Sequence, residues 1–359
     1  MNGQRLRVGV IGAGNIASIA QLPTLVQRDD VDLAALVSRR EDPGNLVRRW
    51  GFGSAYRSVE DMLAAQELDA VFVLTPRSEH AHAVQLCLDN DVDVFCEKPL
   101  APATVEAARL ADLAEERGRI LMVDFNRRYA PVYTAGRQAF GEKGATFCVA
   151  QKNRPGSEYR ATFENAIHMV DLLRWYCGGD PVDVAAHAAG DDPWEEDGVA
   201  ALIRFSTGNT GVLMAARTAG AWNEKLDAYG DGKTVEVRAP ETVSTTVNGV
   251  TTSRELSAEA YGWATATDTL GFSAAVHHFL DRVVDRAQPL TSGREAVHTQ
   301  RLLDRILAAS GLPAEEQQGR PWQSHATAGN SQATRAPRAA PGAPEADAGT
   351  NTPSKEPGK

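Results

Sequence analysis

Glu164, His168 and Asp171 have the side-chain types that proton transfer requires, at spacings of four and three residues. On a helix these spacings place all three on one face, so that the imidazole would lie between two carboxylates. Such neighbours can hold a histidine in one tautomer and let it accept a proton near neutral pH. A salt-bridged helix surface around an ordinary histidine is the alternative interpretation. We expect no zinc site, because no cysteine or second histidine lies at ligand spacing.

A lysine follows a short apolar segment in Glu97-Lys98-Pro99, and Thr75-Pro76 follows another, Ala70–Leu74. Both would lie at the carboxyl ends of parallel strands, where open α/β sheets bind ligands. There an ammonium group can form a hydrogen bond with a reacting hydroxyl. The alternative is a surface lysine in a turn. Because a cis peptide bond is accessible mainly before proline, we also expect Lys98–Pro99 to be cis.

A glycine motif lies within Val8–Ala17, where an apolar strand leads into Gly12-Ala-Gly14-Asn15-Ile16-Ala17. Gly12 permits a tight turn, Gly14 lets a pyrophosphate approach the backbone, and Ala17 allows close packing of the next helix. The phosphates would lie at the helix start near Asn15, where unpaired N–H groups favour negative charge. A strand before the motif and a helix after it favour dinucleotide binding over a glycine turn without a ligand.

The end of the second predicted strand bears on which nucleotide binds. Ser38-Arg39-Arg40 stands where many NAD-binding proteins carry an acid for the ribose hydroxyls. A serine hydroxyl and an arginine suit a 2′-phosphate, so NADP is favoured and NAD stays possible. The alternative is a solvated loop start, since Glu41 and Asp42 follow.

Elements that could position these residues fall into two patterns. Strand and helix signals alternate over residues 1–124, which predicts a parallel sheet covered on both faces. Residues 125–312 contain eight strand-like segments, a helix over Glu164–Tyr176 and two closing helices. This predicts an α+β domain with an open, mostly antiparallel sheet, with Asn248-Gly249 as a hairpin turn. Residues 313–359 lack large apolar side chains after Trp322, so we expect a disordered tail.

Bulk properties exclude several function classes. The 359 residues carry a net charge of −10, which argues against a nucleic-acid or anionic-membrane partner. No apolar run is long enough to cross a bilayer, and no signal peptide is evident, so we expect a cytoplasmic protein. The cysteines form no Cys-x-x-Cys pair and are expected to be reduced thiols rather than metal ligands. They are Cys87, Cys96, Cys148 and Cys177.

Taken in order along the chain, the motifs resemble those of the Gfo/Idh/MocA oxidoreductases, the group of glucose–fructose oxidoreductase and inositol dehydrogenase. The resemblance covers about residues 5–311. It rests on Gly12–Ala17, Thr75–His80, Glu97–Leu100, Phe125–Arg128 and His168–Asp171.

The resemblance implies a Rossmann domain, then an open-sheet domain, with the active site between them. It implies that His168 takes the hydroxyl proton as hydride leaves for C4 of the nicotinamide. Lys98 would orient the oxygen, Glu164 would line the site, and Asp171 would support them from the same helix face. It also implies cofactor- or substrate-side contacts from Thr75, Pro76, His80, Glu97, Asn126 and Arg127.

Two departures affect the substrate prediction. Glu164 stands where the family usually has Asp, and Ala166 where it usually has Gly, so the resemblance transfers no particular sugar specificity. Trp222 and Trp263 lie among polar residues and are candidates to stack on a sugar ring.

The expected function is an NAD(P)-dependent dehydrogenase or reductase acting on a CH–OH or C=O group of a sugar, cyclitol or sugar derivative. The alternatives are an NAD-dependent redox-assisted glycosidase and a non-catalytic nucleotide-binding regulator. The exposed face of an open sheet is a natural contact surface, so we expect a homodimer or homotetramer formed through it.

Overall fold

Six parallel strands form the first sheet, because their near-continuous apolar sequences bury both faces. The computed structural model describes residues 5–39, 43–155, 160–194, 196–256 and 265–314. The strands are β1 Leu6–Ile11, β2 Val31–Val37, β3 Ser54–Tyr56, β4 Ala70–Val73, β5 Asp93–Cys96 and β6 Leu121–Val123. Their order is β3-β2-β1-β4-β5-β6, so the strand order reverses beside β1 and opens a crevice at the carboxyl ends.

Short helices connect these strands. They are α1 Leu22–Gln27, α2 Gly44–Trp50, α3 Val59–Ala65, α4 His80–Asp89 and α5 Thr104–Glu116. A π-helical turn, Ala17–Gln21, precedes α1, and 3₁₀ turns cover Arg77–Glu79 and Asn126–Tyr129. Helix α3 begins as its sequence predicts, because Ser58 Oγ accepts a hydrogen bond of 3.0 Å from Asp61 N.

The second sheet has eight strands in the order β14-β13-β12-β11-β7-β10-β9-β8. They are β7 Phe147–Asn153, β8 Pro181–Ala189, β9 Gly198–Phe205, β10 Thr210–Ala216, β11 Asn223–Gly230, β12 Lys233–Ala239, β13 Thr242–Val247 and β14 Val250–Glu255. Only β7 and β10 pair in parallel, so the predicted open, mostly antiparallel sheet is confirmed. Asn248 and Gly249 both have positive φ, as a tight hairpin turn requires.

Two helices cover one face of this sheet, α6 Pro131–Gln138 and α7 Ile167–Cys177. A single helix over Glu164–Tyr176 was the prediction. The structure instead has a π-helical turn at Ala161–Ala166, followed by α7. Glu164 therefore lies in wider helical geometry than His168, and the simple 3.6-residue spacing does not relate the two.

Of the two long helices that close the described part, the first packs on the first sheet and the second contacts elements of both sheets. After α8 Ala266–Thr269 come α9 Phe272–Asp285 and α10 Gly293–Ala309. Phe279 of α9 packs against Phe72 and Phe95, with ring centroids 5.3 and 5.6 Å away. The apolar face of the first sheet needs a cover, and α9 supplies it. Both sheets belong to one compact unit, Met1–Arg320.

Several predictions fall partly or wholly outside the described residues. The tail assigned to 313–359 lies outside them from residue 315 onward, as do Arg40 and Trp263. Within the described ranges no helix combines the length and apolarity of a membrane span, and no cluster of three metal-ligand side chains occurs. All four cysteines are free and buried.

Candidate active site

The glycine turn after β1 is held tightly against the strands on either side. Gly12 has φ +87°, and a Cβ there would lie 2.9 Å from the carbonyl oxygen of Leu74. Its N–H donates to Val37 O at 3.0 Å. A Cβ on Gly14 would meet no atom within 4 Å, so the space beside it is open. The first glycine is therefore required by the fold, and the second leaves the backbone accessible.

A cavity of about 580 Å³ opens above this turn, at the carboxyl ends of β1, β2 and β4. This volume is ordinary for a small-molecule site. Its wall includes six of the predicted cofactor residues: Gly12, Gly14, Ser38, Arg39, Thr75 and Pro76. Asn15 and Ile16 begin the helical segment beyond the turn and lie outside the cavity wall, with Ile16 57% exposed.

The wall also contains polar residues that the sequence did not predict as cofactor contacts, among them Arg57, Ser58 and Glu79. Arg39 is ion-paired with Glu79 and keeps most of its side chain exposed. Two arginines thus stand at one end of the cavity. Arg57 belongs to the loop before α3. The sequence feature beside it is Ser58, which caps the start of that helix.

His80 lies behind the cavity wall rather than in it, which corrects its expected contact with a cofactor. Its Nδ1 lies 2.7 Å from Pro99 O and its Nε2 lies 2.8 Å from Thr75 O. The ring is buried, and both nitrogens face backbone carbonyls. His80 therefore holds together the loops that follow β4 and β5.

Lys98 follows β5, and the Lys98–Pro99 peptide bond is cis, as predicted. Its Nζ donates at 3.3 Å to the backbone carbonyl of Glu164, which belongs to the π-helical turn. Burial lowers the pKa of Lys98, although the charges of Glu97 and Glu164 partly oppose the effect. The ammonium thus lies beside the segment that carries His168.

Glu97, the residue before Lys98, is linked to a second carboxyl group, Asp124, that the sequence analysis did not single out. Gln21 Nε2 donates to Glu97 Oε1 at 2.8 Å and to Asp124 Oδ2 at 3.0 Å. Burial raises the pKa of Asp124 well above its usual value, and the charge of Glu97 adds to the rise. Glu97 and Asp124 are therefore joined through the side-chain amide of Gln21.

The surroundings of His168 differ from the prediction of two flanking carboxylates. Its Nδ1 is buried and has no hydrogen-bond partner in the described part of the chain. Burial lowers the pKa of His168 well below its usual value, and four nearby cations add to the effect. These cations are Lys152, Arg127, Lys98 and Arg154. The imidazole is thus held neutral in a positive environment.

The carboxylate of Glu164 is bound to groups other than His168. Oε1 accepts a hydrogen bond of 2.7 Å from Arg77 Nη1, and Oε2 accepts one of 3.0 Å from the backbone N–H of Arg160. The Arg77 guanidinium also lies 5.0 Å from the ring centroid of Phe163. Glu164 therefore joins the loop after β4 to the π-helical turn.

Asp171 is held in a buried ion pair, and its catalytic role stays a prediction. Arg128 binds both of its oxygens, with distances of 2.7 and 2.8 Å, and Thr299 Oγ1 donates to Oδ1 at 3.0 Å. Both partners of the ion pair are almost fully buried. Asp171 joins α7 to α10 and to the turn before α6.

Arg127, a predicted substrate residue, binds the carboxylate of Glu224 with two hydrogen bonds of 2.7 and 3.0 Å. Lys152 Nζ lies 3.4 Å from the same carboxylate, and Tyr133 donates to it at 3.0 Å. Despite complete burial, the charges of Arg127 and Lys152 hold the pKa of Glu224 well below its usual value. Arg127 thus holds Glu224 in a buried ion pair that also includes Lys152.

Asn126 and Trp222 are the other predicted substrate residues that the structure describes. Asn126 Nδ2 donates to Leu270 O at 3.0 Å, and its Oδ1 is buried without a partner among the described residues. Trp222 is 39% exposed and directly precedes β11. Asn223, the next residue, pairs with Asn153 at the end of β7.

A parallel sheet with a glycine turn at its switch point, followed by a mostly antiparallel open sheet, is typical of a dinucleotide-binding oxidoreductase. The chain belongs to the Gfo/Idh/MocA family. Residues 6–125 match the family's profile for an oxidoreductase with an NAD-binding Rossmann fold, and residues 150–236 match a C-terminal domain profile of the family.

Individual relatives agree with this assignment. The oxidoreductase YceM of Salmonella typhimurium is 30% identical over 84% of this chain and 97% of its own length. Inositol 2-dehydrogenase of Rhizobium meliloti is 24% identical over 67% of this chain and 77% of its own. The fold is similar to that of UDP-N-acetylglucosamine 3-dehydrogenase GnnA from Acidithiobacillus ferrooxidans, with TM-score 0.74 and 21% identity. That likeness covers 85% of this chain and 97% of GnnA.

Proposed function

We propose that this chain is an NAD(P)-dependent oxidoreductase that moves a hydride between a nicotinamide and a CH–OH or C=O group of a sugar, cyclitol or sugar derivative. The observation that carries the proposal is the hydrogen bond between Lys98 and the helical segment that contains His168. The ammonium donates to the carbonyl of Glu164, four residues before a buried, unpartnered imidazole. The named dehydrogenases among the relatives support this substrate class.

The glycine turn fits the cofactor. Gly12 lies so close to Leu74 that any side chain there would clash, and the open space beside Gly14 leaves room for a pyrophosphate. Bound there, a nicotinamide dinucleotide supplies the hydride acceptor or donor. The site's own residues must then bind the alcohol and exchange its hydroxyl proton.

His168 is suited to accept that proton, because its lowered pKa keeps the imidazole unprotonated near neutral pH. Lys98, which contacts the backbone of the same helical segment, can donate a hydrogen bond to the same oxygen. In oxidation Lys98 would hold the hydroxyl while His168 takes its proton. In reduction His168 would return the proton to the carbonyl oxygen.

NADP is the proposed preference between the two cofactors. Ser38, Arg39 and Arg57 lie together in the cavity wall, where a ribose 2′-phosphate would find a hydroxyl and two guanidinium groups. Equilibrium titration with NADP⁺ and NAD⁺, followed by tryptophan fluorescence, checks this. Arg57→Gln should weaken NADP⁺ about tenfold or more and leave NAD⁺ nearly unchanged. An equal loss of affinity for NADP⁺ and NAD⁺ in Arg57→Gln would contradict the proposed preference for NADP.

A substrate panel tests the reaction itself. The protein is mixed with NAD⁺ or NADP⁺ and with sugars, phosphosugars, nucleotide sugars and inositols, and the absorbance of the reduced cofactor is followed. Lys98→Met and His168→Asn should each lower kcat by about a hundredfold or more, without loss of nucleotide binding. Lys143→Met, at an exposed position, is the matched control.

Two results would oppose the proposal. Normal turnover in both Lys98→Met and His168→Asn would remove these residues from the chemistry. Release of an aglycone from a glycoside, with no net change in cofactor absorbance, would favour a redox-assisted glycosidase instead.

We also propose that the open face of the second sheet joins copies of this chain. Large apolar side chains stand exposed on it, although apolar side chains elsewhere in this sheet are buried. They include Leu202, Met214 and Tyr229. Light scattering on the intact protein should give a dimer or tetramer, and Leu202→Asp should reduce the mass to that of a smaller species. A monomeric wild type would contradict this.

A further inference from the structure

We propose that the carbohydrate bound by this site carries an acidic group, a carboxylate or a phosphate, and that Arg154 recognises it. The inference rests on the proposed function, because it assumes that the substrate binds beside Lys98 and His168. It goes further by naming the class of that substrate.

Arg154 is the first residue after β7, and its backbone is fixed on both sides. Its N–H donates to Ala216 O at 2.8 Å, and its carbonyl accepts from Ala219 N at 3.0 Å. Its side chain is half-buried, and Nε is buried without any partner. Within the described ranges no carboxylate pairs with this guanidinium. A permanently charged group placed in this way, without an acid, is costly unless a ligand neutralises it.

Alternation along β7 places Arg154 on the same side of the sheet as the buried Lys152. Nearby carboxylates of the site are engaged elsewhere: Glu164 pairs with Arg77, and Glu224 pairs with Arg127 and Lys152. The charge of Arg154 also contributes to lowering the pKa of both His168 and Lys98. Arg154 therefore adds a positive charge without a carboxylate partner among the described residues, which favours an anion over a neutral sugar.

A polar group beside β7 indicates that the anion also carries a hydroxyl group. Asn165 donates to Lys152 O at 2.9 Å through Nδ2, and its Oδ1 is buried without a partner among the described residues. This oxygen can only accept hydrogen bonds, and a sugar hydroxyl would supply the donor. Because Asn223 pairs with Asn153, the register places Trp222 opposite Arg154, where its ring could cover a sugar.

Binding and turnover of matched neutral and acidic sugars test the inference on the full chain with bound cofactor. The probes are D-glucose, D-glucuronate and D-glucose 6-phosphate, with affinity measured by calorimetry. At least one acidic probe should bind about tenfold tighter than glucose, and added salt should reduce that advantage. Glucuronate and the phosphosugar together show which acidic group is preferred.

Variants separate recognition from general disturbance. Arg154→Met should lose about ten- to a hundredfold in affinity and in kcat/KM for the acidic sugar, with less than about threefold change for glucose. Arg154→Lys should recover part of the loss. Arg301→Met, at an exposed position of α10, is the control and should behave like the wild type. As a check on folding, the acidic sugar should raise the Tm of the wild type but not of Arg154→Met.

The outcomes distinguish this inference from the proposed function. Arg154-dependent binding of an acidic sugar without any change in cofactor absorbance would leave the inference standing and oppose hydride transfer. Turnover that prefers neutral sugars, or an equal loss for glucose and glucuronate in Arg154→Met, would overturn the inference alone. Failure of every acidic probe to bind in an Arg154-dependent way would also overturn it.

Discussion

At the scale of single residues, the site is defined by a neutral histidine among cations. A carboxylate beside His168 would raise its pKa, whereas the observed neighbours lower it. The sequence predicted the histidine and the lysine, and it also predicted acids that the structure places elsewhere. The electrostatic environment of His168 therefore comes from β7 and from the Asn126–Tyr129 turn, both distant in sequence.

This environment predicts the pH dependence of alcohol oxidation. A general base acts when unprotonated, so a lowered pKa of His168 should keep kcat/KM level as pH falls through 6.5, with the decline at lower pH. Arg154→Met removes one of the cations that lower this pKa, so its decline should begin at higher pH. Lys143→Met should reproduce the wild-type profile. Identical profiles in Arg154→Met and the wild type would contradict the assignment of His168 as the base.

Asp171 gives a second residue-scale prediction, because its contacts are structural. Asp171→Asn leaves Arg128 with a weakened buried partner, and loss of a buried ion pair costs about 3 kcal/mol of unfolding free energy. Urea denaturation should show this loss. Asp183→Asn, exposed on β8, should change stability by less than about 0.5 kcal/mol.

The kinetic result matters as much as the stability. The folded fraction of Asp171→Asn should keep a kcat close to the wild-type value, since Asp171 contacts neither His168 nor Lys98 in hydrogen bonds or ion pairs. A large fall in kcat with unchanged stability would return Asp171 to the catalytic role that its spacing suggested.

At the scale of elements, one ion pair joins the loop after β4 to the π-helical turn before α7. Arg77 and Glu164 are 8% and 15% exposed, so solvent screens the pair only partly. The two elements come from different sheets, and the pair fixes how the carbonyl of Glu164 is presented to Lys98. We expect the pair to stabilise both the fold and the placement of the ammonium.

A double-mutant cycle measures this coupling. Arg77→Met and Glu164→Gln should each destabilise the protein, and the double variant should be less destabilised than their sum by about 1–3 kcal/mol. Glu164→Asp retains the charge but shortens the reach by one methylene, so it should lose much of the coupling to Arg77. Additive effects across the cycle would show that the two side chains do not stabilise each other.

At the scale of the whole molecule, the sequence predicted most of the elements but not how they meet. Period-two and period-3.6 patterns are local, and they located most strands of both sheets and helix α9, but not the three-residue strand β3. The glycine turn and the Asn248-Gly249 hairpin followed from backbone conformations that few residues adopt. The π-helical turn at Ala161–Ala166 and the His80 contacts depend on tertiary packing, and no local pattern signals them.

The return of α9 to the first sheet is the largest such surprise and carries the last prediction. Phe279 is fully buried between Phe72 and Phe95, on the strands whose ends form the cofactor cavity and the Lys98 loop. Phe279→Ala should therefore cost about 3–5 kcal/mol of unfolding free energy. Val284→Ala, on the same helix but 50% exposed, should cost less than about 1 kcal/mol.

The same substitution tests whether the first sheet depends on the end of the chain for binding as well as for stability. If α9 is an integral layer of the nucleotide-binding unit, Phe279→Ala should weaken NADP⁺ binding under conditions where the second sheet still gives a native β-sheet signal in circular dichroism. Val284→Ala should bind NADP⁺ like the wild type. Unchanged NADP⁺ affinity and stability in Phe279→Ala would mean that residues 5–124 hold the cavity without α9, because the loss of a central aromatic contact would then have no consequence for the strands beneath it.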